Sequence, residues 1–233
     1  QRHGPGEVGD EALLLAAAGA AWVAADRQAG ARAAAQEGAG LVVMDDGFQN
    51  PHLVKDVSLL VVDGGYGFGN GRLHPAGPLR ETVAGGLARA DALVLIGPDD
   101  GGVADQAASF GDLAVLRAHI EPGPEAAKLA GQRVTAFAGI GRPEKFFATL
   151  SAIGCRVEKA HAFADHHPYG ERDITRLSAE AAAAGTTLVT TEKDLVRIPQ
   201  GARDGVEVLT IAIEWEDEAA LDAVLGPLVD DDR

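Results

Sequence analysis

Cysteine is nearly absent: one thiol, Cys155, stands in 233 residues. A single cysteine excludes an internal disulfide framework and fits a reducing compartment. Such a residue is expected to be a small buried apolar side chain. Long apolar runs are missing too. Runs such as 59–62 and 93–96 have the length of buried strands, and no stretch of 18 apolar residues exists to cross a membrane. Positive charge is scarce. Twenty Lys and Arg face 35 Asp and Glu, a formal net charge of −15, which argues against a nucleic-acid partner. Part of that acid lies in the runs 214–218 and 230–232, expected to be solvated surface. No Met opens the chain and no charged-then-apolar leader follows, so the sequence reads as starting partway into a domain. Finally, there is no G-x-x-x-x-G-K-[S/T] and no Gly-Lys pair at all, so no P-loop cradle lies within these residues.

What is present is ordinary globular material, 46% hydrophobic and 24% charged, in a length that suits one large domain or two small ones. Short apolar runs alternate with helical patterns. Strands are expected at 41–45, 57–63, 92–97, 113–120, 133–138, 187–190 and 206–213, with a short one at 21–24. Helices are expected at 13–18, 29–37, 142–153, 173–184 and 216–225. This alternation implies a parallel sheet covered on both faces, with ligands at the carboxyl ends of its strands. Pro122, Gly123 and Pro124 interrupt the pattern and mark the best boundary. No internal repeat or low-complexity linker occurs.

Five constellations carry potential chemistry. Leu41–Gln49 ends an apolar run in Asp45-Asp46, the form of a Walker B element able to hold Mg²⁺; Asp45 could equally cap a turn. Residues 64–81, GGYGFGNGRLHPAGPLRE, lack the G-x-G-x-x-G spacing of a dinucleotide loop. They offer glycine backbone to a phosphate and Arg72 and Arg80 to an anion, or else form a plain surface loop. Residues 163–169, FADHHPY, set a histidine beside an acid, which suits a general base or a polar turn. Residues 190–194, TTEKD, can close a capping box and also place Lys193 at a strand end. Gly9-Asp10-Glu11 puts two carboxylates at a helix start, where the dipole alone favours them. No zinc-type spacing appears, which speaks against a metal-dependent hydrolase built on Asp45, Asp46 and His166.

Taken in order, EVGDE at 7–11, MDDGFQ at 44–49, GFGNGR with PAGPLRE at 67–81, AFAGIGRPEKFF at 136–147, FADHHPY at 163–169 and TTEKD at 190–194 closely resemble the tetraacyldisaccharide 4′-kinases. The resemblance spans residues 7 to about 198. It implies a P-loop NTPase-like α/β core with a parallel sheet, incomplete at its N-terminus here, and a second, smaller α/β domain. The core would be residues 1–113, with the last helix, 214–233, returning to it. The smaller domain would be 122–205, with linker strands near 114–121 and 206–213. The implied reaction moves the γ-phosphoryl of ATP to the 4′-hydroxyl of tetraacyldisaccharide 1-phosphate, giving lipid IV-A, with Mg²⁺, at the cytoplasmic face of the bacterial inner membrane. The implied partners are that lipid and the membrane surface. By motif, Asp10 would pair with His166 to activate the hydroxyl, His167 being the other candidate. Glu11 would lie near the metal or phosphates, and Asp45 and Asp46 would serve Mg²⁺. Arg80 and Glu81 would line the acceptor site, with Asn70 and Arg72 in the same cleft. Lacking a P-loop, the chain alone is expected to be inactive. The alternative is a non-catalytic relative that binds the lipid or a protein.

Overall fold

A computed structural model describes residues 3–229. Contacts divide them into two compact units. One holds the described residues up to Val23 together with Pro122–Ala212; the other holds Ala24–Glu121 and the described residues from Ile213.

Along the chain the elements are α1 (Pro5–Val8), α2 (Asp10–Ala18), α3 (Arg27–Gln36), β1 (Leu59–Asp63), α4 (Val83–Leu87), β2 (Ala92–Ile96), α5 (Val103–Ala108) and β3 (Ala114–Pro122). There follow α6 (Ala126–Leu129), β4 (Arg133–Ala138), α7 (Pro143–Ala152), β5 (Arg156–Ala162), α8 (Glu171–Ala184), β6 (Thr187–Thr191), α9 (Glu192–Leu195), β7 (Val206–Leu209), β8 (Ile211–Trp215) and α10 (Glu218–Val229). The structure is thus mixed α/β with parallel sheets.

In the first unit the strand order is β5-β4-β6-β7, every pair parallel. Strand β4 is buried on both faces because helices cover both. Alternate side chains sort to the two sides, as a pleated strand requires. Val134, Ala136 and Ala138 pack with Phe146 and Leu150 of α7. Phe137 packs with Ile174, Leu177 and Ala181 of α8. The second sheet runs β1-β2-β3-β8, with β1, β2 and β3 parallel. Leu93 and Leu95 face Leu87, Val103 and Ala107. Ala92 and Val94 face the opposite way, toward Trp215, Leu221 and Val224, which brings α10 onto this unit.

The structure departs from the sequence expectations at several places. Residues 41–45 form no strand, and Val43 is 85% exposed. A strand exists only where its backbone finds a partner ladder, and among the described residues this run has none. Residues 21–24 are likewise irregular. The run 206–213 breaks at Thr210 into β7, paired with β6, and β8, the neighbour of β3. The linker partner of β3 is therefore 211–215. Residues up to Val23, expected in the core with 24–113, group instead with Pro122–Ala212.

Candidate active site

Three neighbouring parallel strands deliver the first site. Gly139 follows β4, His166 follows β5, and α9 follows β6, so all lie at the carboxyl ends where α/β sheets bind ligands. The start of α2 meets them. Asp10, its first residue, is 5% exposed. Its carboxylate lies 3.0 Å (Oδ2) and 3.2 Å (Oδ1) from His166 Nδ1. A carboxylate can only accept, so in the neutral imidazole the proton sits on Nδ1 and Nε2 keeps the lone pair. Nε2 lies 3.7 Å from Asp165, and the His166 side chain is half exposed. The histidine has a positive φ of 57°, held by its own N–H bonding to the Gly139 carbonyl at 3.0 Å. Such backbone is costly outside glycine and collects at functional positions.

Two cations face the pair. Lys193 Nζ lies 4.0 Å from Asp10 and 2.9 Å from Glu11. Arg197 Nε lies 3.4 Å from Asp10. Glu11 is held down at about 2, first by a hydrogen bond shared with Asp10 and then by the Lys193 ammonium. His167 turns elsewhere, against the Phe163 and Tyr169 rings.

The remaining candidates sit in the other unit. Asp46 also has a positive φ, 47°. Arg80 Nη1 donates to both its oxygens, at 2.7 and 2.8 Å. Asp45 is exposed, and its carbonyl accepts from Arg27 at 3.1 Å. Glu81 accepts from Gln49 at 2.9 Å and from Arg89 at 2.5 and 2.6 Å. Asn70 is spent on its own loop: it donates to the Ala76 carbonyl and accepts the Arg72 N–H. Arg72 is exposed. Gly67, Gly69 and Gly71 take φ of 58°, 60° and 68°, which only glycine adopts without strain, so this loop's shape depends on them.

The family profile described as Tetraacyldisaccharide-1-P 4′-kinase (LpxK) matches residues 1–229. The chain belongs to this kinase family. A tetraacyldisaccharide 4′-kinase of Rhodospirillum centenum is 57% identical over 98% of this chain and 67% of its own length. Those of Rhodospirillum rubrum and Gluconacetobacter diazotrophicus are 52% and 51% identical, covering 97% and 98% of this chain and 69% of each relative. Family membership makes the chain a transferase of the kinase class in lipid A biosynthesis, for which ATP is the expected donor.

The sequence alone did not single out Arg197, which lies against Asp10, or Asp194, which holds it. Asp194 was read as part of a cap, and Thr191 does accept its N–H. The available signal was the Asp194-x-x-Arg197 spacing, which puts both side chains on one face of a helical turn. Lys193 carried a clearer signal, a cation directly after a strand.

Proposed function

We propose that this chain is the acceptor and general-base portion of a tetraacyldisaccharide 4′-kinase. The contact between buried Asp10 and half-exposed His166 carries the reading. With the proton on Nδ1 held by Asp10, His166 Nε2 takes the proton of the 4′-hydroxyl as that oxygen attacks the γ-phosphorus of ATP; ADP leaves and lipid IV-A forms. Arg80 and Glu81 line the acceptor site, with Arg72 and Asn70 at its margin.

In this reading Asp45 and Asp46 would hold a magnesium ion, which takes one or two carboxylates together with waters and phosphates. Among the described residues no third carboxylate, His or Cys joins them at ligand distance. Asp46 must first exchange its pairing with Arg80. Bound there, the ion would neutralise phosphate charge. In this reading Glu11, the more exposed acid of its pair, would serve the phosphates or metal. In this reading the work is peripheral, at the cytoplasmic face of the inner membrane; no helix among the described residues is long and apolar enough to cross a membrane.

The test joins a P-loop-bearing segment to this chain and follows phosphate from ATP to tetraacyldisaccharide 1-phosphate. The joined enzyme forms the 4′-phosphate and the chain alone does not. His166→Ala lowers turnover about 10²–10⁴-fold with the KM for ATP unchanged. Unchanged turnover removes His166 from the mechanism. No product, where the Rhodospirillum centenum relative gives it, refutes the proposal.

A further inference from the structure

The Arg197 guanidinium is 4% exposed and is the most constrained cation near the candidate base. Placing such a group out of water is costly unless its charge and donors are met. Here they are met on every side. Nη1 donates to the Gly139 carbonyl at 2.9 Å, and Nη2 donates to Asp194 Oδ1 at 3.0 Å. Nε donates to the Lys193 carbonyl at 3.2 Å and lies 3.4 Å from Asp10 Oδ2. The Tyr169 ring lies 5.9 Å from the guanidinium carbon.

Two of these contacts reach the two halves of the base. Asp10 is the carboxylate bonded to His166 Nδ1. Gly139 contributes the carbonyl that also accepts the His166 backbone N–H. One rigid fork therefore fixes both the acceptor carboxylate and the main chain of the histidine it bonds. The Gly139 position has no slack: an added Cβ would meet Tyr169 Oη at 2.9 Å and the Ala164 carbonyl at 3.0 Å. Asp194 in turn is fully buried and holds Arg197, the Gly139 N–H and the Tyr169 hydroxyl together.

We infer that Arg197 is a positioning residue of the transfer reaction, setting the Asp10 carboxylate so that His166 keeps its proton on Nδ1 and presents Nε2 to the hydroxyl. The inference rests on the proposed role of His166 as base. Lysine cannot replace arginine here, because one nitrogen cannot reach Gly139, Asp194 and Asp10 at once.

The experiment labels the histidines of the 233-residue chain with ¹⁵N. Long-range proton–nitrogen correlation then reads the His166 tautomer near pH 8.5, about two units above the ordinary histidine pKa. The wild type should show the Nδ1–H form. Arg197→Lys and Arg197→Met should move His166 toward the Nε2–H form that free histidine prefers. If Arg197→Met does not fold, Arg197→Lys decides. In the enzyme carrying a P-loop segment, Arg197→Lys should lower kcat about tenfold or more, leaving the KM values for ATP and lipid within about twofold. A folded Arg197→Lys chain with the wild-type tautomer overturns the inference, as does a KM effect with kcat intact. A shifted tautomer in a chain whose joined wild type makes no 4′-phosphate supports the Arg197 role and refutes the kinase reading instead.

Discussion

Asp194→Ala is the sharpest structural perturbation the first unit offers. The carboxylate is fully buried and accepts from the Gly139 N–H and Tyr169 hydroxyl at 2.8 Å, the Thr191 hydroxyl at 2.6 Å and Arg197 at 3.0 Å. Removing it leaves those donors buried without an acceptor, at about 1–3 kcal/mol each for the neutral ones. It also deprives a buried guanidinium of one of its two carboxylates, and breaking a buried pair costs about 3–5 kcal/mol. The terms share one network and do not add, so the expected loss is about 3–5 kcal/mol. Native-state hydrogen exchange measures it unit by unit. Amides of β4 and β6 should lose protection on the order of a hundredfold to a few thousandfold, at about 1.4 kcal/mol per tenfold. Amides of β1 and β2, in the other unit, should not change. A loss under about 1 kcal/mol in β4 and β6 would refute the account of Asp194 as the tie between the Gly139 turn and Arg197. Equal loss in both sheets would refute a local effect of Asp194.

Two further outcomes follow. Burial, and then the neighbouring Asp194 charge, push the Tyr169 phenol well above its usual range, whereas Tyr66, the other tyrosine, is 60% exposed. Near pH 11 the folded chain should therefore show less tyrosinate absorbance than the unfolded one. Because the fold favours the neutral phenol, stability present below about pH 10 falls as pH rises beyond it; full absorbance before unfolding would contradict this. The Arg80–Asp46 pair is more than half exposed on both sides, so Arg80→Ala should change stability by less than about 1 kcal/mol in a urea titration. In the joined kinase the same change should raise the KM for the lipid. A large stability loss would make Arg80 a structural residue.

The frame was legible where one period dominated. Strands β2 and β4 are short apolar runs buried on both faces, and the sequence places them to within a residue. Strand β5, RVEKAHA, escaped because it is a sheet edge whose side chains are mostly exposed, so no apolar run or clean alternation marks it. Residues 41–45 misled for the opposite reason. Their side chains are those of a strand, but strand state depends on a neighbouring backbone that side-chain pattern does not report. The Asp10 and His166 positions were visible as motifs. Arg197 was not, because its importance lies in what it touches: a carbonyl after β4, a carboxylate at α2 and another one turn before itself. Contacts that join distant segments leave no spacing to read.

The division of the first unit has a consequence for synthesis. Asp10 and His166 are 156 residues apart in sequence, and Arg197 is later still. As the ribosome makes the chain, α2 emerges long before any strand of its own sheet exists. Its acidic start must wait while the whole of Ala24–Glu121 is made. The proposed base can therefore be completed only once the turn after α9 has left the tunnel. Messages cut short anywhere before that point yield a chain that cannot assemble the proposed proton acceptor.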